Sequence, residues 1–163
     1  PTLIQKVVQL ANEKSIPTTV DPKKNNFTEY HGVTLFKPNL KELKEGLKVE
    51  FNHKNQQELE AVIDQLESKI GNKNTLITLS ELGVFINSPN SKHHIGAHHR
   101  DITDVSGAGD TVISVATLCL ALKQEPEMIA ELSNLAGGLV CENVGVVPIE
   151  KADLLEEAIR LFC

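Results

Sequence analysis

The chain has no tryptophan, one tyrosine and one methionine, so its core must rest on leucine, isoleucine, valine, alanine and a few phenylalanines. Nothing in it approaches the roughly 18 apolar residues that a membrane-spanning helix needs, and no signal-peptide pattern opens it. A cytoplasmic protein with no membrane partner is the expectation. Positive charge is in deficit: 16 Lys and Arg stand against 22 Asp and Glu, for a net charge of −6. With no basic cluster, nucleic acid is not expected as a partner. Close cysteine pairs are missing. Cys119, Cys141 and Cys163 are odd in number and widely spaced, which points to reduced core thiols rather than a metal site. Two nucleotide signatures are absent as well. There is no G-x-x-x-x-G-K-[ST], so this is not a P-loop enzyme, and no glycine follows Gly107-Ala108-Gly109 at the spacing of the dinucleotide fingerprint.

What is present is an ordinary soluble composition, 40% hydrophobic and 23% charged, over 163 residues, one domain's worth of chain. Periodicity predicts helices over 3–14, 39–47, 56–70, 112–122, 126–143 and 150–162. Asn39 reads as a cap and Gly71 as a C-terminal stop. Short strands are predicted at 16–20, closed by Asp21-Pro22, at 33–36, stopped before Pro38, and at 76–79. A hairpin turns around Ser88-Pro89-Asn90, between 84–86 and the region of Ile95. Strands alternating with helices indicate an α/β fold with a mostly parallel sheet, whose ligands bind beyond the strands' carboxyl ends.

The most informative stretch is Asp104-Val105-Ser106-Gly107-Ala108-Gly109-Asp110-Thr111. The apolar run that follows reads as a buried helix, with Ser106 or Gly107 as its N-cap and Gly107 to Gly109 in its first turn. The first N–H groups of a helix lack intrahelical partners and carry the positive end of its dipole. With almost no side chain in the way, they can approach an anionic oxygen, and Asp110 would bring a carboxylate to the same place. That pairing suits phosphoryl transfer to a hydroxyl. Taken alone, the segment reads first as an ordinary helix start, with a Ser cap, an Asp favoured by the dipole and glycines for a tight entry.

Three further groups also allow two readings. Asn39 and Glu42 form a capping-box pattern or a polar pair at a ligand. Thr78-Leu79-Ser80-Glu81-Leu82-Gly83 is a strand-to-turn junction or a loop against phosphates. Asn134 is a solvated helix position or a ligand contact. His93, His94, His98 and His99 lie in a stretch read as an exposed hairpin strand. His94 and His98 would share one face and His93 and His99 the other, so no metal site is expected there.

The segment Asp104–Asp110 resembles the D-T-x-G-A-G-D signature of the ribokinase and fructokinase family of sugar kinases. Asn39-Leu40-Lys41-Glu42 resembles its N-x-x-E motif, Thr78 to Gly83 its T-L-G-x-x-G turn with Ser80 in place of a glycine, and Ser133-Asn134-Leu135-Ala136 its A-N-A-A segment. The resemblance implies a three-layer ribokinase-like fold, of which this chain is the C-terminal, nucleotide-binding part. It implies ATP and Mg²⁺ as cofactors, with a monovalent cation such as K⁺. Asp110 is then the base, and Gly107, Ala108 and Gly109 form the anion cradle. Asn39, Thr78, Ser80, Gly83 and Asn134 contact the nucleotide, with Gly145 and the loop to Pro148 closing its pocket. Glu42 acts on Mg²⁺ through water, and Asp104 and Ser106 lie at the monovalent cation. Asp21 through Glu42 and His94 through Ser114 look most like the heptose-7-phosphate kinases of lipopolysaccharide-core precursor synthesis. The rivals are a related kinase for another sugar or nucleoside, and a non-catalytic nucleotide-binding module. Opening at Pro1 straight into helical periodicity, the chain reads as part of a longer protein. An uncovered sheet edge and self-association, as a homodimer or aggregate, are expected of it alone.

Overall fold

Side-chain alternation along five short strands decides how the helices are distributed. The computed structural model describes residues 2–162. Strands β1 (Thr19–Val20), β2 (Leu35–Phe36) and β3 (Asn74–Thr78) pair in parallel, and the hairpin of β4 (Val84–Asn87) and β5 (Lys92–Ile95) continues the sheet antiparallel, in the order β1-β2-β3-β4-β5. Successive residues of a strand face opposite sides. Phe36, Ile77 and Phe85 therefore share one core with helices α1 (Leu3–Glu13), α2 (Leu40–Leu47) and α3 (Gln56–Ile70). Leu35, Leu76, Val84 and Ile86 share the other with α4 (Ala108–Ala121) and α5 (Pro126–Val140). The result is three layers, helices on both faces of one sheet. A last helix, α6 (Lys151–Phe162), lies against α5 and fully buries none of its side chains.

Gly71 ends its helix as the sequence places it, and Asn55 is a cap the sequence reading did not name. Asn55 accepts N–H bonds from Gln57 and Glu58 to start α3, and Gly71, with φ of 64°, ends it. Pro126 occupies the first turn of α5, where no N–H is needed.

Four expectations are corrected. The first strand shrinks to Thr19–Val20, because Pro17 has no N–H to give a ladder and Ile16 is left exposed. Helix α4 is not buried all round: Val112, Val115, Ala116 and Cys119 are, but Leu118 and Leu122 are 64% and 71% exposed, since no described segment lies over that side. Asn134 is not a solvated position but is buried. Finally, β5 ends at Ile95, so the two-face assignment applies to His93 and His94 but not to His98 and His99.

Cys119 and Cys141 are free, buried thiols, and burial raises the pKa of both. Cys163 lies outside the described residues. Among the described residues no helix is long and apolar enough to cross a membrane, and no three His, Cys, Asp or Glu side chains are grouped to hold a metal.

Candidate active site

Because β1, β2 and β3 run in the same direction, the residues that follow them emerge at one edge of the sheet. Asp21 follows β1, Lys37 follows β2 and Thr78 ends β3. Lys37 is only 2% exposed, and its Nζ lies 2.9 Å from Asp21 Oδ1. The other oxygen of Asp21 takes Lys23 Nζ at 3.3 Å. The start of α4 closes over this pair, so that a Cβ on Gly109 would stand 3.7 Å from Lys37 Nζ.

The helix start itself has the form an anion cradle needs. Gly107 is the N-cap, with φ of 82°, which strains any side chain, and a Cβ there would crowd Val146 Cγ1 at 3.0 Å. The tight entry also engages one of the three amides expected to be bare: Ala108 N–H donates to Val105 O at 3.3 Å. The N–H groups of Gly107, Gly109 and Asp110 meet no acceptor among the described residues. Asp110 is exposed, not packed away, and its negative charge acts on Lys23 together with that of Glu42. Asp110, the buried Lys37 and the free amides of Gly107 and Gly109 thus lie together at the carboxyl edge of the parallel strands.

Asn39 and Glu42 do form a capping box. Asn39 Oδ1 accepts Glu42 N–H at 2.9 Å, and Glu42 Oε2 accepts Asn39 N–H at 2.8 Å. The box also fixes both side chains at the start of α2, beside Thr78, whose N–H donates to Pro38 O at 3.2 Å. Ser80 stands where the motif has glycine and still adopts the left-handed backbone, with φ of 54°. Gly83 is fixed by packing, because a Cβ there would fall 2.0 Å from Ile95 O.

Asp104 braces the loop before α4. Its Oδ1 accepts Ser106 N–H at 2.9 Å and its Oδ2 accepts Gly145 N–H at 3.0 Å. These bonds, that from Ser106 first, hold its carboxyl below the usual range. Asn134 is 9% exposed and donates to Gly96 O at 2.9 Å, tying α5 to the end of β5. The loop from Gly145 to Pro148 meets the cradle through Val146, while Val147 and Pro148 line a cavity of about 460 Å³ with the end of α5. A second cavity, of about 620 Å³, is lined by none of these site residues. It lies between His98–Arg100 and α6, where Arg100 is paired with Glu142 at 3.1 Å and Glu157 at 2.7 Å.

Asp21, Lys23 and Lys37 were not among the site residues expected from sequence. Their one signal is position: each falls within three residues of the end of a short strand that the α/β pattern makes parallel.

A family model described as pfkB family carbohydrate kinase matches residues 2–152. The chain belongs to that family. Among its relatives, the bifunctional protein HldE of Koribacter versatilis is 36% identical over 155 residues, 95% of this chain and 32% of that protein. The HldE protein of Methylobacillus flagellatus is 37% identical over 156 residues, again covering 32% of the relative. The chain thus spans about a third of the length of the curated relatives it matches. In fold it is similar to phosphofructokinase-2 from Escherichia coli in complex with potassium, with a TM-score of 0.87 and 19% identity over 97% of this chain and 52% of that one. The 2-dehydro-3-deoxygluconokinase of Thermotoga maritima gives 0.73 at 18% identity, over 95% of this chain and 53% of that one. The ribokinase-like, three-layer architecture is that of a pfkB carbohydrate kinase.

Proposed function

We propose that this chain forms the nucleotide-binding part of an ATP-dependent sugar kinase whose acceptor is a heptose 7-phosphate, phosphorylated to the 1,7-bisphosphate. The observation that carries the reading is the start of α4: free N–H groups at Gly107 and Gly109 stand above Lys37, and an exposed carboxylate, Asp110, lies in the same turn. The residues present fit a nucleoside triphosphate with Mg²⁺. Amides and a buried ammonium suit phosphate oxygens, and a hard cation held mainly through water needs few carboxylates, of which Glu42 supplies one. Bound Mg²⁺ would neutralise phosphate charge.

Everything else falls to the chain's own groups. The amides of α4 hold the transferred phosphoryl oxygens, where charge gathers in the loose transition state, and Lys37 adds its positive charge from beneath the cradle. Asp110 accepts the proton of the sugar hydroxyl, and even an ordinary carboxylate serves when it is positioned. Asn39 and Thr78, locked side by side, flank the phosphates, with Ser80 and Gly83 shaping the adjoining turn. Asn134 and the loop after α5 bound the base side. Asp104 and Ser106 would hold a monovalent cation such as K⁺ beside the cradle. The heptose acceptor is supported by the resemblance of Asp21–Glu42 and His94–Ser114 to heptose-phosphate kinases, and by the identity of 36–37% to the HldE proteins.

Calorimetry with ATP and Mg²⁺ tests the nucleotide half of this reading. A coupled ADP-release assay over heptose 7-phosphate, ribose and fructose 6-phosphate, on this chain and on any longer protein containing it, tests the acceptor. Nucleotide binding without turnover on any sugar would leave a non-catalytic module. Failure to bind nucleotide would overturn the reading altogether.

A further inference from the structure

The exposed Lys23 has a place in this cluster that neither the fold nor the capping requires. Its side chain is 74% exposed, and its one ion pair among the described residues is the 3.3 Å contact with Asp21 Oδ2. A solvent-exposed pair of this kind adds little to stability, because water screens it and two side chains must be held still. Asp21 already has a better partner in Lys37, at 2.9 Å and nearly out of solvent. Lys23 is therefore a tethered cation that can leave at small cost.

The charges around it define what it could meet. Asp21, Glu42 and Asp110 place three carboxylates at the edge of the sheet, and the negative charge of all three acts on Lys23. Lys37 is buried and committed to Asp21, so its stem cannot follow a ligand. An incoming terminal phosphate would face the carboxylates of Glu42 and Asp110 with no mobile cation to offset them, unless Lys23 turns toward it. Lysine suits that role, since a compact ammonium on a flexible four-carbon stem can follow a phosphate without a fixed geometry. Three residues beyond β1, it enters from the carboxyl edge, where Asp110 also lies.

We propose that Lys23 is a binding residue for the terminal phosphate of the nucleoside triphosphate, leaving Asp21 to contact it. The proposal rests on the nucleotide reading above. Its test is equilibrium binding, by calorimetry at fixed ionic strength, of ATP and of ADP, each with Mg²⁺, to the wild-type chain and to Lys23→Gln and Lys23→Arg. Lys23→Gln should weaken ATP by about tenfold and ADP by less than about twofold, and Lys23→Arg should keep ATP within about threefold of wild type. Equal losses for both nucleotides, no loss for either, or an Arg variant as weak as the Gln variant would overturn this role while leaving nucleotide binding intact. A wild-type chain that binds neither nucleotide overturns the underlying reading and this role with it.

Discussion

Lys37 Nζ lies 2.9 Å from Asp21 Oδ1, and the pair joins the ends of two neighbouring parallel strands beneath the first turn of α4. The two partners are unequally buried, with side chains 3% and 20% exposed. Removing one member of a buried pair strands the other, and the cost follows the burial of the group left behind. Asp21→Asn, which leaves the buried ammonium facing a neutral amide, should destabilise the chain by about 3 kcal/mol. Lys37→Met leaves a carboxylate that still has Lys23 and some water, and should cost about 1–2 kcal/mol. Urea midpoints at constant m-value measure both, and the reverse ranking would show that burial of Lys37 is not what the pair provides.

Asp110 is exposed in the first turn of α4, where an anion is favoured by the dipole and no packing depends on the side chain. Asp110→Asn should therefore leave the fold and ATP affinity near wild type. In whichever form of the protein turns over, kcat should fall by about 10²–10⁴. A variant with wild-type turnover would remove Asp110 as the base.

Gly107 is constrained twice, by its φ of 82° and by Val146 Cγ1 at 3.0 Å from any added Cβ. Gly107→Ala should cost about 1–2 kcal/mol of stability. By shifting the amides of Gly107 and Gly109 it should weaken nucleotide binding more than Asp110→Asn does. Thermal melts and ATP calorimetry on the same two variants decide the order.

Much of this arrangement is legible in the sequence because it is local. The span of α3 follows from Leu59, Val62, Ile63, Leu66 and Ile70 on one face, ahead of a Gly stop. The turn into α4 follows from a Gly-Ala-Gly run ahead of apolar residues. Lys37 is a different case. A lysine is almost never fully buried, and nothing next to it in the chain announces that Asp21, 16 residues earlier, and Gly109, 72 later, will enclose it. Ser80 shows a similar limit. A serine in place of a glycine argues against a left-handed backbone, yet the close return of Gly83 N–H to Ser80 O, at 3.0 Å, imposes one. The exposed side of α4 could not be read from its composition, since an apolar stripe says that something covers it, not what.

Asp104 gives a pH dependence whose sign is fixed. The N–H groups of Ser106 and Gly145 favour the charged carboxylate, so its folded pKa lies below the ordinary 3.8. A group depressed on folding contributes stability that is present above the unfolded pKa and is lost as pH falls through the folded one. Wild type should therefore lose stability below about pH 4 more steeply than Asp104→Asn, the two curves running parallel above about pH 5. Glu157, lowered chiefly by its bond to Arg100, adds to the same acid limb in both proteins. Melting temperatures from pH 2 to 7 measure the difference; identical slopes would mean that Asp104 does not brace the loop in solution.

The same sheet predicts how the isolated chain behaves. Among the described residues strand β1 pairs only with β2, so its outer edge offers free backbone groups, and parallel strands of this kind are ordinarily covered. Beside that edge, α4 exposes Leu118 and Leu122 one turn apart, and Thr117 of the same helix contacts Thr19 of β1 at 2.8 Å. On the other face of the sheet α1 exposes Leu3, Val7 and Leu10, spaced to form one stripe. Edge and apolar side chains together make a surface that gains by being covered, and at concentrations of tens of micromolar a second copy is the available partner. Light scattering on the purified 17.9 kDa chain should give a mass above that of the monomer. Leu118→Lys combined with Leu122→Glu should move it toward the monomer without changing the far-ultraviolet circular dichroism, because both side chains already face water. A wild-type chain that stays monodisperse at 17.9 kDa would show that the edge is protected in some other way.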